Sequence, residues 1–339
     1  MKKITIIVLT AFIVFSCKTE QKEEVLNVRL KWQFQTQFAG YIVAKEKGFY
    51  QEEGLDVRLE PAGPDLKPYL TVASGSDDIG IGVPNQIITA QSNGVPLISI
   101  AQMMQDSPFR FIIKNKNRID SLQQLKGKDV GIWMGGDEAE FVAMLKSVGM
   151  NIDDVNIIPQ DFSVAPFLED KYILSHVSVY NELNLIKANG YADKDSLQIF
   201  SPKDYNSAIL GDMLFCKKDY FEKNKDKITR FIQASILGWK YAKEHPNEAV
   251  DLVLKYNPEL DKTHQLAQLN AALDLIFTGN SLTQGIGYID EKEYQNAENI
   301  LFNSGQIKEH INIKDTYDLS AWKAVADDVK NVSAPVEAH

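Results

Sequence analysis

The stretch VLNVRLKWQFQTQFAGYIVAKEKGFYQEEGLDVRLE at residues 25–60 predicts a strand, a helix and a second strand in succession. Val28, Leu30 and Trp32 alternate along one side of the first strand, as side chains do on a pleated strand. Apolar side chains at helical spacing follow over residues 37–50, and a second strand closes the stretch. This order is typical of a parallel sheet covered by helices, so it predicts an α/β fold.

The same alternation continues along the chain, and helices predominate after residue 216. Further strands are predicted at residues 78–82, 95–101, 109–114, 129–133, 155–159, 176–180 and 209–216. In the helical part, one apolar stripe is formed by Ile228, Phe231, Ile232, Ser235 and Trp239. The C-terminal part is therefore expected to be largely helical.

Two lobes are expected from this pattern. The first is built from residues 25–108 and 208–339, and the second, residues 109–207, is inserted into it. The chain then crosses between the lobes twice, which makes a hinge. We expect a ligand to bind in the cleft between the lobes and to be enclosed there.

The first 24 residues have the pattern of an exported, anchored protein. Lys2 and Lys3 precede a short apolar run that ends at Cys17, which predicts a lipoprotein signal peptide over residues 1–16. The run is shorter than the roughly 20 apolar residues of a membrane-spanning helix. We expect Cys17 to carry a lipid anchor, residues 17–24 to form a charged tether, and the protein to lie in the periplasm or at the cell surface.

Composition narrows the possible partners. The net charge of -10 argues against nucleic acid. Cys216 is the one cysteine besides Cys17, so no internal disulfide is expected if Cys17 is lipidated. The five histidines show no metal-ligand spacing, so neither a metal site nor another cofactor is expected. We expect a monomer.

Two tryptophans occupy the positions where α/β proteins bind ligands, beyond the carboxyl ends of strands. Trp32 follows the first strand, and Trp133 follows the first strand of the inserted lobe. Facing indole rings would clamp a planar ligand. The alternative is that both belong to the core, as large aromatic side chains usually do.

Tyr180, Asn181 and Glu182 stand at the next predicted strand-to-helix junction of the second lobe. Glu182 either points into the cleft and hydrogen-bonds an amino group and ring nitrogen of a heterocycle, or only caps the helix that it begins. These alternatives stay open from the sequence.

A glycine turn, Gly135 and Gly136, opens a helix whose free N–H groups could hold a carbonyl, formyl or phosphate oxygen. Asp137 and Glu140 that follow fit a D-x-x-E capping box, so their expected role is capping.

Three residues of the first lobe complete the candidate set. Gln37 stands at the start of the first helix, and Tyr41, one turn later, faces either the cleft or the core. Asn85 follows the third strand and could supply an amide to a ligand.

Four segments carry a family resemblance. They are WQFQTQFAGYIVAKEKGFYQEEGLDV at residues 32–57, LKGKDVGIWMGGDE at 125–138, SVYNEL at 178–183 and ILGWKYAKEHPNEAVDL at 236–252. The chain resembles periplasmic substrate-binding proteins of the thiamine pyrimidine synthase-like family, which are related to taurine, sulfonate and nitrate binders.

This resemblance implies the two-lobed periplasmic binding protein (type II) fold and delivery of a small planar heterocycle to an ABC permease. The ligand would be a pyrimidine precursor of thiamine, hydroxymethylpyrimidine or formyl-aminomethylpyrimidine, with riboflavin as the ligand of a related group. It also implies aromatic stacking by Trp32, Tyr41 and Trp133, and an acidic hydrogen-bonding role for Glu182.

Two other functions fit the sequence less well. A sulfonate or nitrate carrier would need a positive pocket, whereas the strand-end residues offer glutamate and aromatic rings. The family also contains fungal pyrimidine synthases, but their cysteine-rich motif is absent here and residues 25–108 contain no histidine. His176 and Cys216 are candidate catalytic groups without a partner motif. No catalytic residue is therefore expected.

Overall fold

The computed structural model describes residues 24–193 and 195–333. The predicted signal peptide at residues 1–16 and the anchor Cys17 lie outside the described residues. Glu24, expected to be the last residue of the tether, instead begins the first strand. Its backbone N–H donates to the carbonyl oxygen of Gly54 at 2.9 Å, so Glu24 is part of the folded domain.

The described residues form ten strands in two five-stranded sheets. The strands are β1 (Glu24–Arg29), β2 (Leu55–Glu60), β3 (Ile79–Gly82), β4 (Leu97–Gln102), β5 (Phe109–Lys114), β6 (Asp129–Ile132), β7 (Asn156–Pro159), β8 (Leu174–Ser178), β9 (Leu197–Phe200) and β10 (Met213–Lys217). Of these, β9 has no counterpart among the predicted strands. It pairs antiparallel with β5 at the edge of its sheet.

Helices cover both sheets. They are α1 (Ala39–Glu46), α2 (Phe49–Glu52), α3 (Pro68–Ser74), α4 (Pro84–Ser92), α5 (Ala139–Ser147), α6 (Ala165–Leu168), α7 (Glu182–Ile186), α8 (Lys218–Glu244), α9 (Pro246–Leu254), α10 (Lys262–Ile276), α11 (Glu291–Ser304), α12 (Ser320–Ala324) and α13 (Asp327–Lys330). The single helix predicted over residues 37–50 is divided, because Gly48 adopts φ 84° between α1 and α2. Within the described residues, no helix is long and apolar enough to cross a membrane.

Both sheets are mixed. The first has the order β2-β1-β3-β10-β4, with β1 parallel to β2 and β3, and β10 antiparallel to β3 and β4. The second has the order β7-β6-β8-β5-β9, with β6 parallel to its neighbours and β5 antiparallel to its own. We call the part built on the first sheet lobe 1 and the part built on the second lobe 2. The predicted two-lobed α/β fold is confirmed.

The core of lobe 1 depends on close packing of α8 against α1. All five side chains of the predicted apolar stripe on α8 are buried. A Cβ at Gly40 would lie 2.2 Å from the Trp239 ring, and one at Gly238 would lie 2.0 Å from the carbonyl oxygen of Gly40. The absence of side chains at both glycines therefore lets the two helices approach and fixes the start of α1, next to the cleft.

The hinge between the lobes is bound by one buried carboxyl group. Glu140 on α5 accepts hydrogen bonds from the backbone N–H of Ile209 and from the hydroxyl of Ser107, the latter at 3.1 Å. Ser107 and Ile209 belong to the two chain segments that cross between the lobes. Burial raises the pKa of Glu140 to about 8, although these two donors act to lower it.

Candidate ligand-binding cleft

A cavity of about 210 Å³ lies between the two lobes, beyond the carboxyl ends of β1 and β6. Lobe 1 lines it with Lys31, Trp32, Gln35, Gln37, Lys67 and Gln86, among others. Lobe 2 lines it with Phe109, Trp133, Asp137, Phe162, Tyr180 and Glu182, among others. The polar side chains of the lobe 1 wall are amide and basic, and the wall from lobe 2 is mainly aromatic and acidic.

Aromatic rings from both lobes meet in the cavity. The ring centroids of Trp32 and Phe162 are 4.6 Å apart with an interplanar angle of 56°. The centroid of Trp133 lies 6.2 Å from the same Phe162 ring, at 35°. The partner that Trp32 contacts across the cleft is thus Phe162, a residue absent from the candidate set.

Trp133 combines the two roles that were left open for it. Its side chain is 8% exposed and packs against His176 at 4.6 Å and Phe109 at 5.8 Å between ring centroids. Its indole N–H donates to the carbonyl oxygen of Asp161 at 2.9 Å. Trp133 is therefore fixed in the core of lobe 2 while one side of it lines the cavity.

Glu182 provides a buried, oriented carboxylate in the cavity. It is 4% exposed and is the first residue of α7. Its Oε2 accepts from the backbone N–H of Ser178 at 3.1 Å and from the Ser178 hydroxyl, and its Oε1 accepts from the amide of Asn181 at 2.6 Å. A carboxylate can accept about four hydrogen bonds, so these three donors leave capacity for a donor from a ligand.

A second carboxyl group, Asp137, also lines the cavity. The Asn85 amide donates to its Oδ1 at 3.1 Å, and burial raises its pKa. The predicted capping box of Asp137 and Glu140 is wrong, because α5 begins without a side-chain cap and Glu140 binds the hinge instead. Long-range partners have displaced the local hydrogen bonds that the sequence pattern suggested.

Lys31, a basic residue of lobe 1 that lines the cavity, already forms an ion pair with Asp212. Its Nζ lies 2.6 Å from Oδ1 of the buried Asp212 and donates to the hydroxyl of Tyr180 at 3.4 Å. Burial is the largest single influence on the pKa of Lys31 and acts to lower it. The attraction of Asp212 and Tyr180, together with the hydrogen bond to Asp212, outweighs burial, so the pKa is raised. Gln37 donates to the other oxygen of Asp212 at 2.7 Å, so both side chains are held by one carboxylate.

Hydrogen bonds across the cleft hold the lobes together. The Asn85 amide of lobe 1 donates to the carbonyl oxygen of Gly136 in lobe 2 at 3.0 Å. Nε2 of His264, on α10, lies 2.8 Å from Oδ1 of Asn181. Because the Asn181 amide nitrogen donates to Glu182, its oxygen must accept, and His264 carries the proton on Nε2. The cavity-lining carboxylate of Glu182 is thereby linked to the opposite lobe.

Five of the nine predicted ligand-binding residues line the cavity. They are Trp32, Gln37, Trp133, Tyr180 and Glu182. Four of these follow the carboxyl end of a strand closely, and Gln37 lies in the turn that leads from β1 into α1. The strand-end rule therefore located most of this set.

The other four are not among the cavity-lining residues. Tyr41 is 1% exposed and packs in the core of lobe 1, with its ring stacked on Phe231 at 6.5 Å. Asn85 bridges the lobes as described. Gly135 and Gly136 form the expected turn at φ 95° and 116°, but the N–H of Gly136 donates to Glu138 at 2.8 Å.

Phe162, Phe109, Asp137 and Lys31 were not in the candidate set as ligand-binding residues. Phe162 follows β7 by three residues, the same relation that identified Trp32 after β1. That signal was present in the sequence. The contacts of Lys31 and Asp137 depend on Asp212 and Asn85, which are distant in sequence and could not be paired from it.

The fold resembles that of solved periplasmic binding proteins. The periplasmic aliphatic sulphonate binding protein of Escherichia coli superposes with a TM-score of 0.65 at 15% identity, over 86% of this chain and 91% of that one. This likeness supports the two-lobed fold.

Three sequence relatives cover most of the chain. A Haemophilus influenzae protein whose name provisionally assigns it to thiamine biosynthesis is 27% identical over 86% of this chain and 91% of its own. The formylaminopyrimidine-binding protein of Halalkalibacterium halodurans is 25% identical over 76% and 81%. The riboflavin-binding protein of Chloroflexus aurantiacus is 25% identical over 83% and 81%.

Enzymes occur among the relatives as well. A 4-amino-5-hydroxymethyl-2-methylpyrimidine phosphate synthase of Saccharomyces cerevisiae is 24% identical over 68% of this chain and 71% of its own. The family described as NMT1/THI5 like matches residues 35–249, which is more than half of the sequence. The chain belongs to the NMT1/THI5-like family.

Proposed function

We propose that this chain is the substrate-binding protein of an ABC importer and encloses a single-ring planar heterocycle, a pyrimidine precursor of thiamine. Hydroxymethylpyrimidine and formyl-aminomethylpyrimidine are the preferred ligands. Support comes from the two-lobed fold, from family membership and from relatives named for thiamine biosynthesis and formylaminopyrimidine binding.

The observation that carries this proposal is the oriented carboxylate of Glu182 beside aromatic rings in the cavity between the lobes. An aminopyrimidine presents a flat ring for stacking and an amino group that donates to a carboxylate. The second carboxyl, Asp137, has a raised pKa and can therefore keep its proton more readily than an ordinary aspartate. A protonated Asp137 could donate to a ring nitrogen or to a formyl oxygen.

The volume of the cavity favours a ligand with one ring, such as a pyrimidine, over a ligand with three fused rings, such as riboflavin. The volume of about 210 Å³ is below the roughly 300–1,000 Å³ of pockets that hold drug-sized ligands. Riboflavin remains the second candidate, since one relative is named for it. Its three fused rings would need a larger cavity than a single pyrimidine ring does.

Anionic ligands are less well supported. The cation Lys31 is neutralised by Asp212, and two further carboxyls, Asp137 and Glu182, line the same cavity. The other cation of the lining, Lys67, is balanced by Glu182 alone, so a sulfonate or nitrate would find no net positive charge there. The sulphonate-binding proteins among the structural neighbours share the fold at identities of 11–15%, which carries no argument about the ligand.

An enzymatic function is also less well supported. Both candidate catalytic groups are fully buried: Cys216 lies within β10 and His176 within β8. Burial raises the pKa of the Cys216 thiol and lowers the pKa of His176 to about 3, so neither is a ready nucleophile or base. We propose binding without catalysis.

For the cellular setting, we propose a monomeric lipoprotein anchored through Cys17 in the periplasm or at the cell surface, which passes its ligand to a membrane permease. The anchor proposal rests on the pattern of residues 1–17. Labelling cells with a radioactive fatty acid tests it, because Cys17→Ser should abolish incorporation into this protein. Labelling that persists in Cys17→Ser would contradict the anchor.

Native mass spectrometry of the purified full-length protein tests the ligand. Hydroxymethylpyrimidine, formyl-aminomethylpyrimidine, thiamine and riboflavin would each be added to the protein. A retained or added mass that matches one of the two pyrimidines supports the proposal. Binding of riboflavin alone would assign the chain to the flavin binders, and binding of none of the four would overturn the proposal.

A further inference from the structure

We infer that Phe162 is the residue that limits the ligand to a single ring, by occupying the end of the cavity between the two tryptophans. The inference rests on the proposed function and specifies which residue determines ligand size. It concerns a loop residue of lobe 2, in the segment that joins β7 to α6.

The Phe162 ring lies close to both tryptophans of the cavity. Its centroid is 4.6 Å from Trp32 of lobe 1 and 6.2 Å from Trp133 of lobe 2, so it contacts both. A flat ligand cannot occupy that same space while Phe162 holds this position. The stacking surface left for a ligand is correspondingly short.

Phe162 is also unusually exposed for a large apolar side chain. The side chain is 52% exposed, although it lines a cavity in which Trp133 is 8% exposed. A phenylalanine that served only to fill the core of lobe 2 would be buried there, as Phe111 and Phe141 are. Phe162 instead projects from lobe 2 into the cleft, where its ring is available to shape the binding site.

The backbone around Phe162 is held on both sides, so its ring is presented from a fixed base. Asp161 accepts the indole N–H of Trp133 at 2.9 Å, and its carboxylate accepts the backbone N–H of Ser163 at 2.8 Å. The backbone N–H of Gln160 donates to the carbonyl oxygen of Ile132 at 3.0 Å. Because the loop is tied to the end of β6, the backbone at Phe162 cannot move away from the cleft without breaking these bonds.

Removal of the ring should therefore lengthen the cavity and admit a larger ligand. We expect Phe162→Ala to bind riboflavin at least tenfold more tightly than the wild type does. Its affinity for hydroxymethylpyrimidine should fall by no more than about tenfold, because one aromatic contact is lost. Phe162→Tyr keeps the ring and should leave riboflavin binding as weak as in the wild type.

The test is titration of the full-length protein with riboflavin, followed by quenching of flavin fluorescence, and with hydroxymethylpyrimidine by calorimetry. Ile199→Ala is the matched control, since Ile199 is an exposed apolar residue of lobe 2, 45% accessible, that does not line the cavity. It should change neither affinity. Phe162→Val provides a second truncation in case Phe162→Ala does not fold.

The outcomes separate this inference from the proposed function. Tighter riboflavin binding by either truncation, but not by Phe162→Tyr or Ile199→Ala, supports the inference. Riboflavin binding that stays within threefold of wild type in both truncations overturns it. A wild type that binds no pyrimidine, together with truncations that gain riboflavin, would refute the proposed ligand and still support the role of Phe162.

Discussion

The two walls of the cleft differ in how their polar groups are used. In lobe 1, Lys31 and Gln37 are both bound to Asp212, within the same lobe. In lobe 2, Glu182 is surrounded by donors that leave its carboxylate directed at the cavity, and it lies beside aromatic rings. The lobe 2 wall therefore offers unsatisfied hydrogen-bonding capacity and stacking surface together.

From this difference we expect the two lobes to have different roles in ligand binding. Lobe 2 is expected to recognise the ligand, and lobe 1 is expected to close over it with Trp32 and with the bonds made by Asn85 and His264. Lobe 2 also supplies Glu140, which binds both hinge segments. Substitutions in lobe 2 should accordingly have larger effects than those in lobe 1.

The largest expected effect is a pH dependence of stability that originates at Glu140. An unfolded glutamate releases its proton near pH 4.5, whereas burial holds the pKa of Glu140 at about 8 in the folded protein. Between these values the folded state binds more protons, so stability falls as pH rises, by a total on the order of 5 kcal/mol. Glu140→Gln should remove this fall, because glutamine keeps an acceptor for Ile209 and does not ionise.

Urea unfolding at pH 5, 6, 7 and 8 measures this contribution. The stability of Glu140→Gln relative to wild type should increase with pH, and Glu169→Gln, at an exposed glutamate of lobe 2, should show no such trend. A difference between Glu140→Gln and wild type that stays constant from pH 5 to pH 8 would refute the assigned role.

Trp133→Ala should destabilise the protein by about 3–5 kcal/mol, because it removes a buried indole that packs between Phe109 and His176. Trp32→Ala, at a half-buried residue of lobe 1, should cost clearly less stability. Thermal unfolding of both variants measures this. Equal losses of stability would show that the two tryptophans have equivalent structural roles.

Glu182→Gln should weaken binding of hydroxymethylpyrimidine by about 100-fold, roughly 3 kcal/mol. The amide would replace one acceptor with a donor that faces the donors of Ser178 and Asn181. Calorimetry on Glu182→Gln and on Glu169→Gln as the control measures the effect. An affinity unchanged in Glu182→Gln would exclude this carboxylate from ligand recognition.

Trp32→Ala should weaken the same ligand by about 1–2 kcal/mol, from the loss of stacking and buried apolar area. Phe34→Ala is a suitable control, since Phe34 packs against Tyr256 at 4.9 Å and does not line the cavity. If Phe34→Ala weakens binding as much as Trp32→Ala, the effect comes from general loosening of lobe 1 and not from stacking.

The smallest effect is expected at the bond between His264 and Asn181. His264→Leu removes the donor and should weaken ligand binding by about 1 kcal/mol, whereas His264→Gln can still donate and should retain most of the affinity. Small-angle scattering with ligand would show a larger open fraction for His264→Leu. Equal scattering of His264→Leu and wild type would refute a role in closure.

Much of this architecture could be predicted from sequence because it depends on local periodicity. Nine of the ten strands correspond to predicted stretches, and strand ends located Trp32, Trp133, Tyr180 and Glu182 near the cavity. The edge strand β9 was missed, since it is short and only partly buried. Local patterns were sufficient where a feature is determined by neighbouring residues.

The remainder depends on contacts between residues distant in sequence. The capping pattern of Asp137 and Glu140 was outweighed by partners up to 69 residues away, in Asn85, Ser107 and Ile209. Helical periodicity allows Tyr41 to face either the cleft or the core, and only its packing against Phe231 and Trp239 of α8 places it in the core. Such choices follow from tertiary packing, which periodicity alone does not determine.

The structure of the full-length protein in complex with formyl-aminomethylpyrimidine would show directly which lobe recognises the ligand. We expect the ring to lie in the cleft against Trp32, with its amino group donating to Glu182 and the Phe162 ring at its edge. A ligand bound by Lys31 or Lys67 without contact to Glu182, or bound outside the cleft, would contradict the assignment of recognition to lobe 2.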